Sequence, residues 1–293
     1  MRQAEPSNQR RQACSSFWRD AALPFIESRT VADGRRVCYA RHSHETFSIG
    51  LIDSGASTYH NGEQRCRIEA GTLVLMNPGD VHACNPIQNQ PWAYRMLYVD
   101  TGWLSALQDE LGIDGSGLRR FAPILTRDSR LQAGFRRFHA VLVDPQVDPL
   151  TKQGAAVAFF SELHERLELD ATGAVSAAKL QRAAAFIADN YQRSLKLEEI
   201  SRMAGLSPSS LIRAFKKQFG MTPHAYLTNR RVQFARTELR RGRPIADVAL
   251  AAGFADQAHL QRSFKQLLAA TPGHYRDANT DASRDSRVQF SSR

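Results

Sequence analysis

Three histidines have the side chains and the spacing to bind one metal ion. His42 and His44 are two residues apart, so both imidazoles lie on one face if this segment is extended, and His82 follows a Pro-Gly-Asp sequence. Three neutral imidazoles can bind zinc. The alternative interpretation is that these histidines are structural or contact a small molecule.

The other polar side chains form no recognisable catalytic set. The sequence has no glycine-rich phosphate loop after a strand, no pair of carboxylates and no Ser-His-Asp arrangement. We therefore predict that the protein is not an enzyme. Four cysteines without a C-x-x-C pair are typical of reduced thiols in a cytosolic protein, with a thiol sensor as the alternative. They are Cys14, Cys38, Cys66 and Cys84.

Aromatic side chains cluster in the same part of the chain as the histidines. Aromatic walls with a few polar groups are typical of a small-molecule site, although alternating strand residues also form plain core. The candidate lining is Tyr39, Phe47, Tyr59, Trp92, Tyr94 and Tyr98, with Arg41 and Arg95 as polar anchors. The predicted effector-binding residues are Tyr39, Arg41, His42, His44, Phe47, His82, Trp92 and Tyr94.

The basic charge is concentrated in one segment. The 293-residue chain has 39 Lys and Arg against 29 Asp and Glu, a net charge of +10. Residues 176–276 contain 17 basic and 6 acidic side chains, whereas residues 1–175 contain 19 and 20. A basic segment beside a neutral one indicates a half that binds a polyanion and a half with another task.

Composition narrows the class of protein further. A hydrophobic content of 42% with 23% charged residues is typical of a soluble globular protein, and it excludes a disordered or collagen-like chain. The sequence contains no apolar run long enough to span a membrane and no recognisable signal peptide. We therefore predict a cytoplasmic protein that does not enter a membrane.

The basic segment contains an internal repeat. Residues 213–216 match residues 262–265, and Thr222-Pro223 matches Thr271-Pro272, both at an offset of 49 residues. Each copy has the features of a helix-turn-helix: a short helix, a glycine, and a capped second helix. Gly205 suits the turn because it tolerates positive φ, and Ser207-Pro208 or Asp256 begins the second helix.

The second helix of each copy carries polar side chains on one face. An α-helix fits the major groove of DNA, where Arg can bind guanine and Gln can bind adenine. An arginine-rich helix over residues 223–241 is predicted to separate the two copies and to add charge that contacts phosphates. The predicted DNA-binding residues are Ser207, Ser209, Ser210, Ile212, Arg213, Lys216, Lys217, Asp256, Gln257, Ala258, Gln261, Arg262 and Lys265.

Strands and helices must position these groups. Residues 36–100 have the pattern of short strands at 37–41, 47–52, 57–60, 66–69, 72–76 and 93–99, with Asn61-Gly62 as a hairpin turn. Apolar spacing then predicts helices over 101–111, around 131–142 and over about 150–169. Thr101 is the predicted cap of the first of these helices.

The repeat resembles the DNA-binding module of the AraC-type transcription regulators. The similarity covers about residues 179–276, including the closing sequence Thr271-Pro272-Gly273-His274-Tyr275-Arg276, and departs from the family at Ser201, where a small apolar Ala is usual. The resemblance implies base contacts by Ser209, Ile212, Arg213, Gln257, Ala258, Gln261 and Arg262. Residues 37–100 are similar to the cupin-like effector domain of that family.

The cupin resemblance places His42, His44 and His82 where metal-binding cupins have three of their ligands. The carboxylate ligand of such cupins is missing, because Ser48, Ile49 and Gly50 occupy its place. Regulator domains of this type commonly lack a metal. We therefore predict no cofactor, with a metal on the three histidines as the alternative.

These observations predict an α+β fold with two domains: an N-terminal cupin-like β-barrel with flanking helices and a C-terminal all-α double helix-turn-helix. The predicted segments are a disordered N-terminus (1–15), an effector-binding barrel (16–100), a helical dimerisation or packing segment (101–170), a linker (171–178), a DNA-binding domain (179–276, with helix-turn-helix units at about 197–220 and 245–268) and a disordered tail (277–293).

The predicted function is a ligand-responsive, sequence-specific DNA-binding transcription regulator of the AraC family. Its expected partners are double-stranded promoter DNA, a small-molecule effector and a second copy in a homodimer, with RNA polymerase as a further candidate. The alternatives are a cupin metalloprotein or metalloenzyme with an incidental basic helical domain, and a nonspecific architectural DNA binder.

Overall fold

A computed structural model describes residues 15–35, 37–113, 117–170 and 178–277. It has the predicted two-domain α+β architecture, in which an N-terminal antiparallel sheet domain with three helices precedes a C-terminal helical domain. No helix in these residues has both the length and the apolar character needed to cross a membrane.

One long strand organises the N-terminal domain. The strands are β1 (Ser15–Trp18), β2 (Ile26–Val31), β3 (Phe47–Asn61), β4 (Gln64–Glu69), β5 (Leu73–Met76), β6 (His82–Pro86), β7 (Trp92–Val99) and β8 (Leu125–Thr126). The first part of β3 pairs with β5 and β7, and its second part pairs with β4 and β6, all antiparallel. The register of β3 against β7 shifts between Ile52 and Ser54, where a bulge bends the strand.

Several predicted strands are wrong in detail. The segments 47–52 and 57–60 are one strand, because the turn-like residues between them form the bulge of β3. Residues 37–41 form no strand, whereas β1, β2, β6 and β8 were not predicted. The hairpin of β3 and β4 is confirmed, but its turn is Gly62-Glu63, since Asn61 pairs with Gln64 and Gly62 has a φ of 56°.

Three helices pack on one side of the barrel: α1 (Thr101–Glu110), α2 (Ser129–Val143) and α3 (Pro149–Arg166). The predicted apolar face of α2 is buried in a core shared with β3 and α3, through Leu131, Phe135, Phe138 and Leu142. Asp100, and not Thr101, caps α1, because its carboxylate accepts a hydrogen bond from the backbone of Trp103.

The C-terminal domain consists of seven helices within the described residues: α4 (Ala178–Asp189), α5 (Leu197–Ala204), α6 (Pro208–Phe219), α7 (Pro223–Arg240), α8 (Ile245–Ala251), α9 (Gln257–Leu268) and α10 (Pro272–Asp277). Gly205 ends α5 in the left-handed conformation, as its position predicted. Two cores meet on α7: one with α4, α5 and α6, and one with α8, α9 and α10.

The predicted segment boundaries shift slightly. Ser15 begins β1 and pairs with Val31 of β2. The predicted disordered N-terminal segment, residues 1–15, is therefore one residue too long. Ala178 begins α4 and Asp277 ends α10, at the edges of the predicted linker and tail. The remainder of those three segments lies outside the described residues.

Candidate effector and nucleic-acid sites

Helices α6 and α9 present the predicted DNA-binding side chains. Ser207 caps α6 and Asp256 caps α9, each by accepting a hydrogen bond from a backbone N–H three residues later. Ser210 and Ile212 are half-buried, while the other side chains of the predicted set are exposed. The hydrophobic sides of both helices lie in the two cores, so the polar faces remain accessible.

The arginines of α7 do not form a free basic surface. Arg236 contacts the buried carboxylate of Glu27, and Arg230 forms an ion pair with Glu45. Arg231 donates hydrogen bonds to the carbonyls of Tyr191 and Arg193. Contacts within the chain therefore disfavour the predicted phosphate-contacting role for Arg231 and Arg236, whereas for Arg230, whose partner Glu45 is exposed, that role stays a prediction.

The barrel contacts the C-terminal ends of both capped helices. Gly220, at the end of α6, lies so close to Val81 that an added Cβ would be 3.1 Å from its Cγ1 atom. At the end of α9, Arg29 of β2 donates hydrogen bonds to the carbonyls of Leu268 (2.6 Å) and Ala269 (3.3 Å). A guanidinium here also interacts favourably with the helix dipole.

A buried acidic group joins β2 to α7 and α10. Glu27 forms a 2.7 Å ion pair with Arg19, lies 3.4 Å from the guanidinium of Arg236 and accepts a 3.0 Å hydrogen bond from the hydroxyl of Tyr275. Burial by itself would raise the pKa of Glu27, but Arg19, Arg236 and Arg240 outweigh burial and lower it. The carboxylate of Glu27 is therefore ionised at neutral pH when β2 contacts α7 and α10.

The three histidines converge at one end of the barrel. One nitrogen of each ring lies within 4.8 Å of the corresponding nitrogens of the other two, and all three side chains are buried. His42 and His82 also pair through their backbones. Burial lowers the pKa of His42 and His44 well below the usual range and also lowers that of His82, so the rings are neutral.

A narrow cavity of about 30 Å³ lies beside the histidines inside the barrel. Six predicted effector residues line it: Tyr39, His42, His44, His82, Trp92 and Tyr94, joined by Tyr98. Two do not. Phe47 packs against Phe121 and Phe160 in the core under the helices, and Arg41 is exposed to solvent. Further lining residues that the sequence did not single out are Gly50, Ile52, Val74, Met76, Cys84 and Met96.

Two other predicted pocket residues also have different partners. Tyr59 is buried and donates a 2.7 Å hydrogen bond to the carbonyl of Leu75, and Arg95 forms an ion pair with Asp53. Burial raises the pKa of the Cys84 thiol to about 12, so this cysteine is protonated at neutral pH. A protonated thiol is a poor nucleophile, which disfavours a thiol sensor at this position.

A larger cleft of about 660 Å³ separates the barrel from the helical domain. Its lining includes Ser43, His44, Ser105, Phe219, Tyr226 and Arg230. His44 borders both this cleft and the barrel cavity. Small-molecule sites typically measure about 300–1,000 Å³, so the cleft has a suitable size and the barrel cavity does not. Sequence patterns missed the cleft because residues from both domains form it.

Comparisons with known proteins agree with this arrangement. Residues 27–184 match the sequence model of the AraC-like ligand binding domain, and residues 200–278 match a helix-turn-helix domain. The HTH-type transcriptional regulator YbfI of Bacillus subtilis is 30% identical over 76% of this chain and 81% of its own length. The transcriptional activator RhaR of Klebsiella pneumoniae is 23% identical over 83% and 89%.

Solved structures show the same fold. The structure of ToxT from Vibrio cholerae with an unsaturated fatty acid bound superposes with a TM-score of 0.56 at 12% identity, covering 90% of this chain and 94% of ToxT. An apo form of ToxT gives a TM-score of 0.55 at 13% identity, covering 82% and 91%.

Proposed function

The chain belongs to the AraC family of transcription regulators, with a ligand-binding domain and a helix-turn-helix DNA-binding domain, and from that premise we propose which residues perform each task. DNA is contacted by the exposed faces of α6 and α9. The observation that supports this assignment is their common geometry: the barrel contacts the C-terminal end of each helix and leaves the capped N-terminal end for the major groove.

In this proposal, base contacts come from Arg213 of α6 and from Gln261 and Arg262 of α9. Lys216, Lys217 and Lys265 contact phosphates, and the caps Ser207 and Asp256 orient the helix starts. The remaining members of the interface are Ser209, Ser210, Ile212, Gln257 and Ala258. Arginine can form two hydrogen bonds to guanine, whereas a lysine near the backbone supplies mainly charge.

The small-molecule effector occupies the cleft between the domains and extends towards the barrel cavity past His44. The cleft is large enough for a metabolite, and its walls belong to both domains. Phe219 and Tyr226 offer apolar contacts, and Arg230 can exchange its exposed partner Glu45 for an acidic group of the effector. The related fold of ToxT binds an unsaturated fatty acid, which has both features. An effector that binds one docking geometry more tightly shifts the population of that geometry.

The protein functions as a homodimer in the cytoplasm without a catalytic role. Leu150 and Val157 of α3 support a dimer contact, because both are exposed and lie seven residues apart on one helix face.

Effector-dependent docking of α6 and α9 would control promoter binding and, through it, RNA polymerase. The functional units are the barrel with its helices, about residues 16–170, and the DNA-binding domain, about residues 179–276.

The DNA-binding assignment is tested by replacing one arginine in each recognition helix. Arg213→Ala and Arg262→Ala are each expected to weaken binding to a duplex selected from a random pool by about 1–3 kcal/mol, measured by fluorescence anisotropy. Arg137→Ala, an exposed arginine on α2, serves as the matched control and should bind normally. Equal losses on selected and random duplexes would mean that the arginines contact phosphates only.

The effector site is tested by filling the cleft. A panel of small organic acids that includes an unsaturated fatty acid is screened for a shift in melting temperature and in DNA affinity. Ser105→Trp places a large ring in the cleft and should abolish both responses, while Glu110→Trp on the exposed end of α1 should retain them. Full responses in the Ser105→Trp variant would contradict the assignment of the cleft.

A further inference from the structure

We propose that His42, His44 and His82 bind one divalent transition metal ion, of the zinc class, and that this ion couples the effector cleft to the DNA-binding domain. Three protein ligands leave a fourth position for water or for an acidic group of the effector. The regulatory consequence rests on the proposed function of the cleft, whereas metal binding itself does not.

In each of the three histidines, a hydrogen bond at Nδ1 leaves Nε2 available to bind a metal ion. The Nδ1 atom of His42 lies 2.9 Å from the carbonyl oxygen of Ala40, and that of His82 lies 2.8 Å from the carbonyl oxygen of Asp80. The Nδ1 atom of His44 lies 3.1 Å from the carbonyl oxygen of Thr46. A carbonyl can only accept, so each Nδ1 carries the proton and each Nε2 keeps its lone pair. Backbone carbonyls that orient ligating histidines in this way are typical of metal sites.

The spacing of the cluster requires only a small contraction on binding. The nitrogens lie within 4.8 Å of one another, and tetrahedral zinc with bonds of about 2.0–2.1 Å separates its ligands by about 3.3 Å. The ring centroids of His42 and His82 are 4.4 Å apart, those of His44 and His82 are 4.7 Å apart, and those of His42 and His44 are 6.0 Å apart. Movement of the rings by about 1 Å would therefore form the site.

Both ligand segments contact the DNA-binding domain directly. Ser43, between two of the histidines, accepts hydrogen bonds at its carbonyl from Asn229 (2.9 Å) and Gln233 (3.0 Å) of α7. Val81, which precedes the third histidine, packs on Gly220 at the end of α6. A contraction around the metal would therefore move the two segments on which α6 and α7 rest.

The charges around the cluster indicate what the fourth ligand is. Arg29 and Arg236 lie near His42, and the buried carboxylate of Glu27 that contacts Arg236 is shared with Arg19 and Tyr275. Near His82, the carboxylate of Asp80 is already paired with Arg120. A divalent metal ion bound only by neutral histidines would be repelled by the guanidinium groups of Arg29 and Arg236. An anionic fourth ligand offsets that repulsion, so metal and an acidic effector are expected to bind cooperatively.

Metal binding is measured on the full-length chain after chelation and dialysis. Zinc is titrated against a chromophoric chelator, and cobalt(II) is added separately to record its visible absorption, which is intense for a tetrahedral site. We expect one ion per chain. His42→Gln, His44→Gln and His82→Gln should each weaken zinc binding by at least about 100-fold, because loss of even an outer-sphere partner commonly costs about 10–100-fold.

The control is His60→Gln on β3, a half-buried histidine outside the cluster, which should bind zinc like the parent chain. Circular dichroism confirms that each variant is folded, and three separate ligand variants guard against one that is not. Failure of the parent chain to bind zinc, or unchanged affinity in all three folded variants, would overturn the proposal. Neither result depends on DNA or effector binding, so the proposed function is judged separately.

Coupling is measured by hydrogen–deuterium exchange. Zinc is expected to slow amide exchange in the peptides that cover α7 in the parent chain. The double variant Asn229→Ala/Gln233→Ala should retain zinc affinity but lose the change in α7, because its contacts with Ser43 are removed. If zinc binds the parent chain without altering exchange in α7, coupling through Ser43 is wrong.

Discussion

The two helix-turn-helix units have matching sequences but different attachments to the barrel. The first unit, α5 with α6, has a core formed by residues of α4, α5, α6 and α7. The second unit, α8 with α9, shares its core with Phe17 of β1, whose ring meets that of Tyr275 at 5.2 Å. The second unit is therefore partly built from the effector domain, whereas the first has a core of its own.

The ion pairs that reach α7 show the same contrast. Glu27, on the side of the second unit, has a side chain that is 2% exposed and contacts Arg236, while Glu45, on the side of the first unit, is 69% exposed and contacts Arg230. A buried charge that loses its partner is costly, and a solvated one is not. The ion pair on the side of the second unit therefore contributes more to its attachment than the exposed ion pair contributes to that of the first unit.

The strongest test of this contrast removes the buried carboxylate. Glu27→Ala should lower the free energy of unfolding by about 3–5 kcal/mol, because it leaves Arg236 buried without its acidic partner. Urea denaturation followed by fluorescence measures the change. Glu45→Ala is the matched control on the other ion pair with α7, and it should cost about 1 kcal/mol or less. If the two variants lost similar free energies of unfolding, the proposed difference between the two ion pairs would be wrong.

Acid should release the second unit for the same reason. The pKa of Glu27 is lowered in the folded chain, so the carboxylate binds protons more readily when the chain unfolds. Its contribution to stability is complete above the unfolded pKa of about 4.3 and is lost as the pH falls through the lower folded value. The stability gap between the parent chain and Glu27→Gln, measured by urea denaturation at several pH values, should narrow below about pH 4.

A smaller contrast lies at the ends of the two recognition helices. Gly220 and Ala269 occupy equivalent positions in the repeat, and both have the left-handed conformation, with φ of 68° and 48°. This conformation costs an L-residue about 1–2 kcal/mol, while glycine adds about 0.4–1 kcal/mol of unfolded-state entropy. Ala269→Gly should therefore stabilise the chain by about 0.5–1 kcal/mol.

The reverse change, Gly220→Ala, should destabilise by about 1–2 kcal/mol, since it adds the left-handed penalty and brings a Cβ to 3.1 Å from Val81. The melting temperatures of the Ala269→Gly and Gly220→Ala variants measure both changes in stability. Equal and opposite shifts would show that backbone conformation dominates at both positions. A stabilising Gly220→Ala would contradict the backbone explanation.

The smallest expected effect concerns Ser201 in α5, which corresponds to Ala249 in α8. The hydroxyl of Ser201 is buried without a hydrogen-bond partner. Ser201→Ala should stabilise the chain by about 1 kcal/mol or less, because it removes an unsatisfied polar group. Ala249→Ser should destabilise, since the methyl group it replaces is fully buried. Melting temperatures that move in the same direction for both changes would contradict this account.

Sequence patterns predicted the helical domain better than the barrel. The predicted units at about 197–220 and 245–268 agree within a residue with α5–α6 and α8–α9, because the caps Ser207 and Asp256 and the turn residue Gly205 are local signals. In the barrel, residues 53–55 resemble a turn but form the bulge of β3, which pairing with β7 stabilises. Strand pairing is non-local, so neighbours in sequence do not reveal it.

Residue types at short or repeated spacing specify the family, the double helix-turn-helix, its capped recognition helices and the three histidines. The contacts that those side chains make depend on the three-dimensional fold. In the fold, arginines of α7 contact Glu27 and Glu45, and Phe47 and Arg41 lie away from the cavity. The cleft between the domains also forms only in the fold. Burial and charge pairing join chain segments more than two hundred residues apart, and no local pattern specifies such contacts.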